Sequence, residues 1–323
     1  MNRRHFIANA SQSLLAAAVL GASGCNTTPK RDAKNSISPN SQHMFFKLSL
    51  AQWSLHRSFF DGNLDHLDFA ATSRRLGFEG IEYVNGFFKD KAKDKPYLNE
   101  MKLRANNEGQ QNVLIMVDGE GGLAHPDKSV RDKAVENHFK WVEAAHFLGC
   151  HAIRVNLAGG KDMDEAKKAS IESLSMLATL AKASGIAILV ENHGGFSSNG
   201  AWMSSVFSSL RIDNCGTLPD FGNFCISGHK KDDNGNRTCL ESYDRYRGME
   251  ELLPFAKAVS AKSYDFDMQG NETTIDFLRM MKMVKAVGYN GFVGVEYEGV
   301  RLSEEAGIIA TKNLLLQTAQ KLS

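Results

Sequence analysis

Ser184-Gly185-Ile186-Ala187-Ile188-Leu189-Val190-Glu191-Asn192-His193 passes from a glycine through five apolar residues into a carboxylate, an amide and an imidazole. A run this short and continuously apolar reads as a strand buried on both faces, as in a parallel sheet. The glycine ahead of it reads as a helix stop, where a left-handed residue turns the chain. The same unit recurs at Leu76-Gly77-Phe78-Glu79-Gly80-Ile81-Glu82, at Leu148-Gly149-Cys150-His151-Ala152-Ile153-Arg154 and at Val287-Gly288-Tyr289-Asn290-Gly291-Phe292.

Working outward gives eight strands: Lys47–Gln52, Gly80–Val84, Asn112–Val117, Ala152–Asn156, Ala187–Glu191, Cys215–Pro219, Ala258–Lys262 and Phe292–Tyr297. Helical patterns fall between and after them at 64–76, 97–108, 129–148, 163–184, 201–210, 249–256, 274–287 and 303–320. Strands alternating with helices predict a parallel sheet covered by helices. Eight units in residues 45–323 fit an α/β fold, a single-domain (β/α)8 TIM barrel. The rival is an open doubly wound sheet, and no Gly-x-Gly-x-x-Gly follows the first strand to support a dinucleotide-binding version.

Composition narrows the function classes. The 323 residues are 42% hydrophobic and 23% charged, enough for a large core. Lys+Arg is 38 and Asp+Glu is 37, a net charge of +1, without the basic excess of a nucleic-acid binder. Five cysteines do not make a disulfide-built scaffold.

Residues 1–24 read as an export signal. Arg3-Arg4 ahead of Phe6-Ile7 resembles a twin-arginine signal, and the apolar run Leu14–Leu20 is far shorter than the roughly 20 residues a bilayer span needs. Ala22-Ser23-Gly24-Cys25 resembles a lipoprotein processing site with Cys25 as the lipidated residue, although Ala22 stands where such sites usually carry Leu. Residues 25–44 form a flexible tether on this reading. The expected location is periplasmic or membrane-anchored, with a lipid anchor as the sole membrane contact. Cys150, Cys215, Cys225 and Cys239 show no zinc spacing; an oxidising compartment permits them to pair, and structural or free thiols are the default expectation.

In a barrel the chemistry gathers at the C-terminal strand ends. Those ends carry Gln52, Trp53 and His56; Glu82 and Asn85; Asp118 and Glu120; Arg154 and Asn156; Glu191, Asn192 and His193; Asp220 and Asn223; Lys262, Ser263 and Asp265; and Glu296 and Glu298. Glu191, Asp220 and Glu296 follow apolar strands directly, so a closed barrel brings three carboxylates to one mouth. Close like charges repel unless a proton or a cation intervenes, and a divalent ion with oxygen ligands is the simplest solution.

The segments Val190-Glu191-Asn192-His193-Gly194-Gly195, Leu218-Pro219-Asp220-Phe221-Gly222-Asn223-Phe224, Ser260-Ala261-Lys262-Ser263-Tyr264-Asp265-Phe266-Asp267 and Gly294-Val295-Glu296-Tyr297-Glu298-Gly299 resemble the sugar phosphate isomerase/epimerase family, the xylose-isomerase-like barrels. The resemblance implies that Glu191, Asp220 and Glu296 hold a divalent ion (Mn, Mg, Zn or Co). It also implies that Glu191 and Glu296 move protons beside a carbonyl. Two positions depart from the family pattern. The His-x-Lys of strand seven is Ser260-Ala261-Lys262, and the Asp-x-x-His after strand six ends in Asn223.

Lys262 is then either positive charge beside a developing oxyanion or an ion-pair partner of Asp265 or Glu296. His193 is a substrate or metal contact, or a hydrogen-bonded loop residue. Trp53 stacks on a sugar or packs at the rim. With His56, Glu82, Asn156 and Asn223, these residues complete the expected substrate contacts.

The implied function is an exported isomerase or epimerase acting on a small unphosphorylated carbohydrate, since no Gly-rich phosphate loop is present. The alternatives are a lyase or hydratase on a 3-keto sugar or glycoside, and a non-catalytic sugar-binding lipoprotein. A nuclease is disfavoured for want of further histidines and a basic face. Self-association into a homo-oligomer stays open. Specificity falls to loops such as 85–98 and 225–247, and the charge of Lys230-Lys231-Asp232-Asp233-Asn234-Gly235-Asn236-Arg237 favours a solvated excursion over a lid.

Overall fold

Gly77, Gly149, Gly185 and Gly288 adopt φ of 80°, 82°, 66° and 73°, the left-handed conformation that the sequence reading requires of helix stops. The computed structural model describes residues 44–231 and 237–323; the export signal, nearly all of the tether and Cys25 lie outside them. The strands are β1 (Lys47–Ala51), β2 (Gly80–Val84), β3 (Gln111–Met116), β4 (Ala152–Val155), β5 (Ala187–Glu191), β6 (Cys215–Leu218), β7 (Cys225–Lys231), β8 (Arg237–Ser242), β9 (Val259–Ser263) and β10 (Phe292–Tyr297). The helices are α1 (His56–Phe60), α2 (Phe69–Arg75), α3 (Lys95–Asn107), α4 (Lys128–Leu148), α5 (Met163–Lys182), α6 (Gly200–Ser209), α7 (Arg245–Leu252), α8 (Phe277–Ala286) and α9 (Glu304–Lys321). Most start on a side-chain cap, among them Asp127, Asp162, Asn199, Asp276 and Ser303.

Eight strands form one parallel sheet in the order β6-β5-β4-β3-β2-β1-β10-β9. The barrel is nearly closed: parallel bridges Thr217↔Ala256 and Asp220↔Ser260 span the seam between β6 and β9. Pro219 lies at that seam and has no N–H to add to the ladder, while its carbonyl accepts from Ser260 at 3.0 Å.

Side-chain alternation separates two cores. Ile188, Val190, Val259, Ala261, Val293 and Val295 point outward and pack under the helices. Leu114, Leu189, Leu218, Ala258 and Phe292 point inward and fill the floor of the barrel. Two residues beyond Leu189 and Leu218, and four beyond Phe292, toward the C-terminal end, the inward positions turn acidic at Glu191, Asp220 and Glu296, and there the site begins. Among the described residues no helix is long and apolar enough to cross a membrane.

Three local expectations are corrected. The helix expected at 249–256 is α7, four residues earlier, where Asp244 caps it and Pro254 prevents its continuation. The five-residue helix α1 directly behind β1 was not foreseen. The described residues of the segment 225–247 are largely exposed, as a solvated excursion would be, but they are ordered: β7 and β8 pair antiparallel, and a Cys225–Cys239 disulfide cross-links them. Cys150 and Cys215 are free and buried.

Candidate active site

The inward parity that places Leu189 and Leu218 on the floor carries on to Glu191 and Asp220, and the parity of Phe292 carries through Gly294 to Glu296. Oxygen atoms of the three carboxylates come within 4.8 Å of one another, and the side chains are almost wholly buried. Glu296 is the register partner of Lys262, and Asp220 bridges to Ser260, so the neighbouring strand supplies both partners of the cluster.

Ser260 stands where the family pattern has histidine. Its Oγ donates to Asp220 Oδ2 at 2.6 Å and lies 3.0 Å from Glu296 Oε2, one hydroxyl proton shared between two acids. Lys262 Nζ is 3.3 Å from Glu296 Oε1, 3.2 Å from Glu298 Oε1 and 3.9 Å from Asp220 Oδ2. Of the two ion-pair partners expected for it, Glu296 is right and Asp265 is not, because Arg301 takes Asp265. Burial works against the charge on Lys262, but Asp220, Glu296 and Glu298 outweigh it and hold the lysine pKa well above its ordinary value.

Glu191 is gripped from both sides. Asn223 donates to its Oε1 at 2.9 Å, and Arg154 Nε lies 2.8 Å from its Oε2. That second contact is an ion pair without hydrogen-bond alignment, so Glu191 Oε2 has no donor. Arg154 also donates to Asp118 at 2.6 Å, and Asn156 donates to the same Asp118 oxygen at 2.7 Å. The Oδ1 of Asn156 is left without a partner, a vacant acceptor for a hydroxyl. Asn192 clamps the loop behind β6: its amide oxygen accepts from the Asp220 N–H, and its amide nitrogen donates to the carbonyls of Asp220 and Asn223.

Two basic side chains, Arg154 and Lys262, thus face the carboxylates of Glu82, Asp118, Glu191, Asp220, Glu296 and Glu298. Burial raises Glu191 to about 7, with Arg154 opposing and Glu296 adding to the rise. Burial raises Asp220 to about 7 against the pull of Lys262. Glu298 behaves differently: Lys262 beside it overcomes its burial and holds it below its ordinary value. His193 is exposed just past the end of β5, and its partial enclosure together with the nearby Arg154 and Lys262 lowers its imidazole pKa from the ordinary value.

Glu82 does not reach the mouth where a substrate contact was expected. It is 1% exposed, accepts from Ser49 at 2.5 Å, and occupies the space opened by Gly294, where an added Cβ would come within 2.6 Å of its Oε1. Gly294 is two residues below Glu296, so Glu82 lies one layer beneath the cluster. Burial pushes its carboxyl up to about 8. Trp53 and His56 do reach the mouth and stack on each other with ring centroids 4.9 Å apart. Arg154, Asp118, Asn192 and Glu298 were visible as strand-end residues but carried no assigned role. Arg154, a charge in the apolar strand Ala152-Ile153-Arg154-Val155, was the signal to follow.

The charge balance fits a divalent cation. Hard oxygen donors are in excess, Glu191 Oε2 lacks a donor, and protons are drawn to Glu191 and Asp220 in its place.

Residues 70–318 match the family described as xylose isomerase-like TIM barrel. No curated protein matches the chain. Among solved structures, a D-tagatose 3-epimerase-like protein aligns at 16% identity and TM-score 0.64 over 86% of this chain and 98% of its own. A xylose isomerase-like TIM barrel protein from Mycobacterium smegmatis in complex with magnesium aligns at 15% and 0.63 over 85% and 97%. The 3-keto-D-glucoside 4-epimerase of E. coli aligns at 15% and 0.60 over 85% and 99%. At these identities the likeness establishes the fold, and the family match over most of the barrel completes it: this chain belongs to the xylose isomerase-like TIM barrel family.

Proposed function

We propose that this protein is a metal-assisted epimerase or isomerase of unphosphorylated carbohydrates. The observation that carries the reading is the buried cluster of Glu191, Asp220 and Glu296, anionic beyond what Arg154 and Lys262 neutralise. The printed activities of two structural neighbours, both epimerases of sugars or epimerase-like, support it.

Glu191, Asp220 and Glu296 are the residues that would hold the ion, which when bound supplies electrophilic polarisation of the sugar oxygens. Glu191, whose Oε2 has no hydrogen-bond donor, suits a general base that takes the proton beside a carbonyl. Glu296, on the strand across the mouth, returns a proton from the opposite face and inverts the centre. Lys262, held charged, stabilises the negative charge that develops on the carbonyl oxygen. Asn156 Oδ1 accepts from a substrate hydroxyl, and the ring nitrogens of His193 hydrogen-bond to another. The test is incubation with ketoses and Mn²⁺ in D₂O: deuterium enters the carbon beside the carbonyl, and no exchange across a broad panel refutes the reading.

A second reading, a lyase or hydratase on a 3-keto glycoside, uses the same proton abstraction and expels a leaving group instead. Ser260 in place of histidine favours a changed reaction, and release of aglycone from a keto-glycoside distinguishes it.

We further propose that the enzyme works outside the cytoplasm. The Cys225–Cys239 disulfide and the signal-like residues 1–25 support this. Mass spectrometry of the membrane fraction checks it by a lipid-modified Cys25 at the mature N-terminus.

A further inference from the structure

The loops behind β1 and β2 build an aromatic wall that the polar chemistry does not use. Trp53 and His56 stack at 13° between ring planes. Phe60 meets Trp53 edge-on at 5.9 Å and Phe87 at 5.3 Å, and Trp53 and Phe87 are 6.1 Å apart. Phe60 is 67% exposed, and Val300, behind β10, is 79% exposed.

The wall is continuous with the site. Its residues follow β1 and β2 at their C-terminal ends, and Ser54, next to Trp53, donates to the Val295 carbonyl at 3.1 Å and accepts from the Tyr297 N–H at 3.0 Å, on either side of Glu296. It is also rigid. Glu304, at the start of α9, accepts from the backbone N–H groups of Arg57 and Ser58 and from the Ser58 hydroxyl, and Arg57 donates to the Gly299 carbonyl at 2.8 Å.

Resting on the epimerase reading, we propose that this wall is an aglycone subsite, so that the substrate class is a keto-glycoside, whose ring carbonyl acidifies the neighbouring C–H, carrying a flat apolar aglycone rather than a free monosaccharide; unoxidised glycosides bind there without turnover. The helix α1 runs roughly 6 Å from His56 to Phe60, so the wall extends past a sugar ring seated beside Trp53. Phe60 and Phe87 offer no hydrogen-bond donors or acceptors from their side chains, and sugar hydroxyls desolvated there would go unpaired. An aromatic ring matches the surface by edge and face contacts and gains from its preorganisation.

Of the three tryptophans, Trp141 and Trp202 are 0% and 6% exposed, so intrinsic fluorescence changes on ligand addition report Trp53. The experiment titrates the full chain with phenyl and methyl glucopyranosides and galactopyranosides of both anomers, read by fluorescence and calorimetry without turnover. The expected result is a phenyl glycoside bound roughly tenfold more tightly than its methyl counterpart, with that preference abolished in Phe60→Ser. Equal affinity for phenyl and methyl, binding of neither, or a preference untouched by Phe60→Ser overturns the proposal. So does a dimer that Phe60→Ser dissolves without any glycoside preference. Because binding is read apart from deuterium exchange, failure here and failure of the epimerase reading are separate results.

Discussion

The mouth of the barrel is made of two different materials. Its late arc, from β5 and β6 to β9 and β10, is lined by buried acids with Lys262 and Ser260 between them. Its early arc, behind β1 and β2, presents Trp53, His56, Phe60 and Phe87 on a braced loop. Arg154 on β4, joined to Asp118 on one side and Glu191 on the other, marks the junction. The difference teaches a division of labour. On the proposed function, the desolvated charge of the late arc perturbs proton affinity for chemistry, and the half-buried to exposed rings of the early arc serve recognition.

Four perturbations test that division, from the largest expected effect downward. In the late arc, Glu296→Gln removes a proton carrier, and deuterium exchange should fall roughly 10³-fold with the fold intact by circular dichroism. Loss of less than tenfold would take Glu296 out of the chemistry. At the junction, Arg154→Met leaves Asp118 and Glu191 without their shared cation, and urea unfolding should show a loss of about 3–5 kcal/mol.

The pH dependence of stability follows third. Glu191 and Asp220 titrate near 7 in the fold against ordinary values of 4.5 and 3.8, so the folded chain holds more protons than the unfolded chain through that window. Stability contributed by these groups is therefore full below their unfolded values and is lost as pH rises through about 7. The thermal midpoint of metal-free protein should fall between pH 5 and pH 8, and Mn²⁺ should flatten the fall. In the early arc, Trp53→Ala should raise KM about tenfold and leave kcat nearly unchanged, a loss of binding made equally to substrate and transition state. A fall in kcat instead would join the two arcs into one catalytic unit.

Much of this was legible in the sequence because burial on both faces leaves a strong trace. The strands Gly80–Val84, Ala187–Glu191 and Phe292–Tyr297 stand where the apolar runs place them, since charge ends each run only where the barrel opens. The buried triad of Glu191, Asp220 and Glu296 was legible for the same reason. The role of Arg154 was not, because its worth lies in Asp118 and Glu191, partners 36 and 37 residues away along the chain. Glu82 has the same strand-end appearance as Glu191, but Gly294 on another strand makes room for it one layer down, which depends on register. The β7–β8 ribbon was hidden by its charge, since exposed strands carry no apolar alternation.

The central claim is that Glu191, Asp220 and Glu296 gather around one cation. Calorimetric titration of Mn²⁺ into chelator-stripped wild type and Asp220→Ala, each followed by thermal unfolding, tests it most directly. The account predicts one ion bound per chain with a raised midpoint in the wild type, and neither effect in the variant. A wild type that binds no ion, or a variant that binds it equally well, would contradict the account.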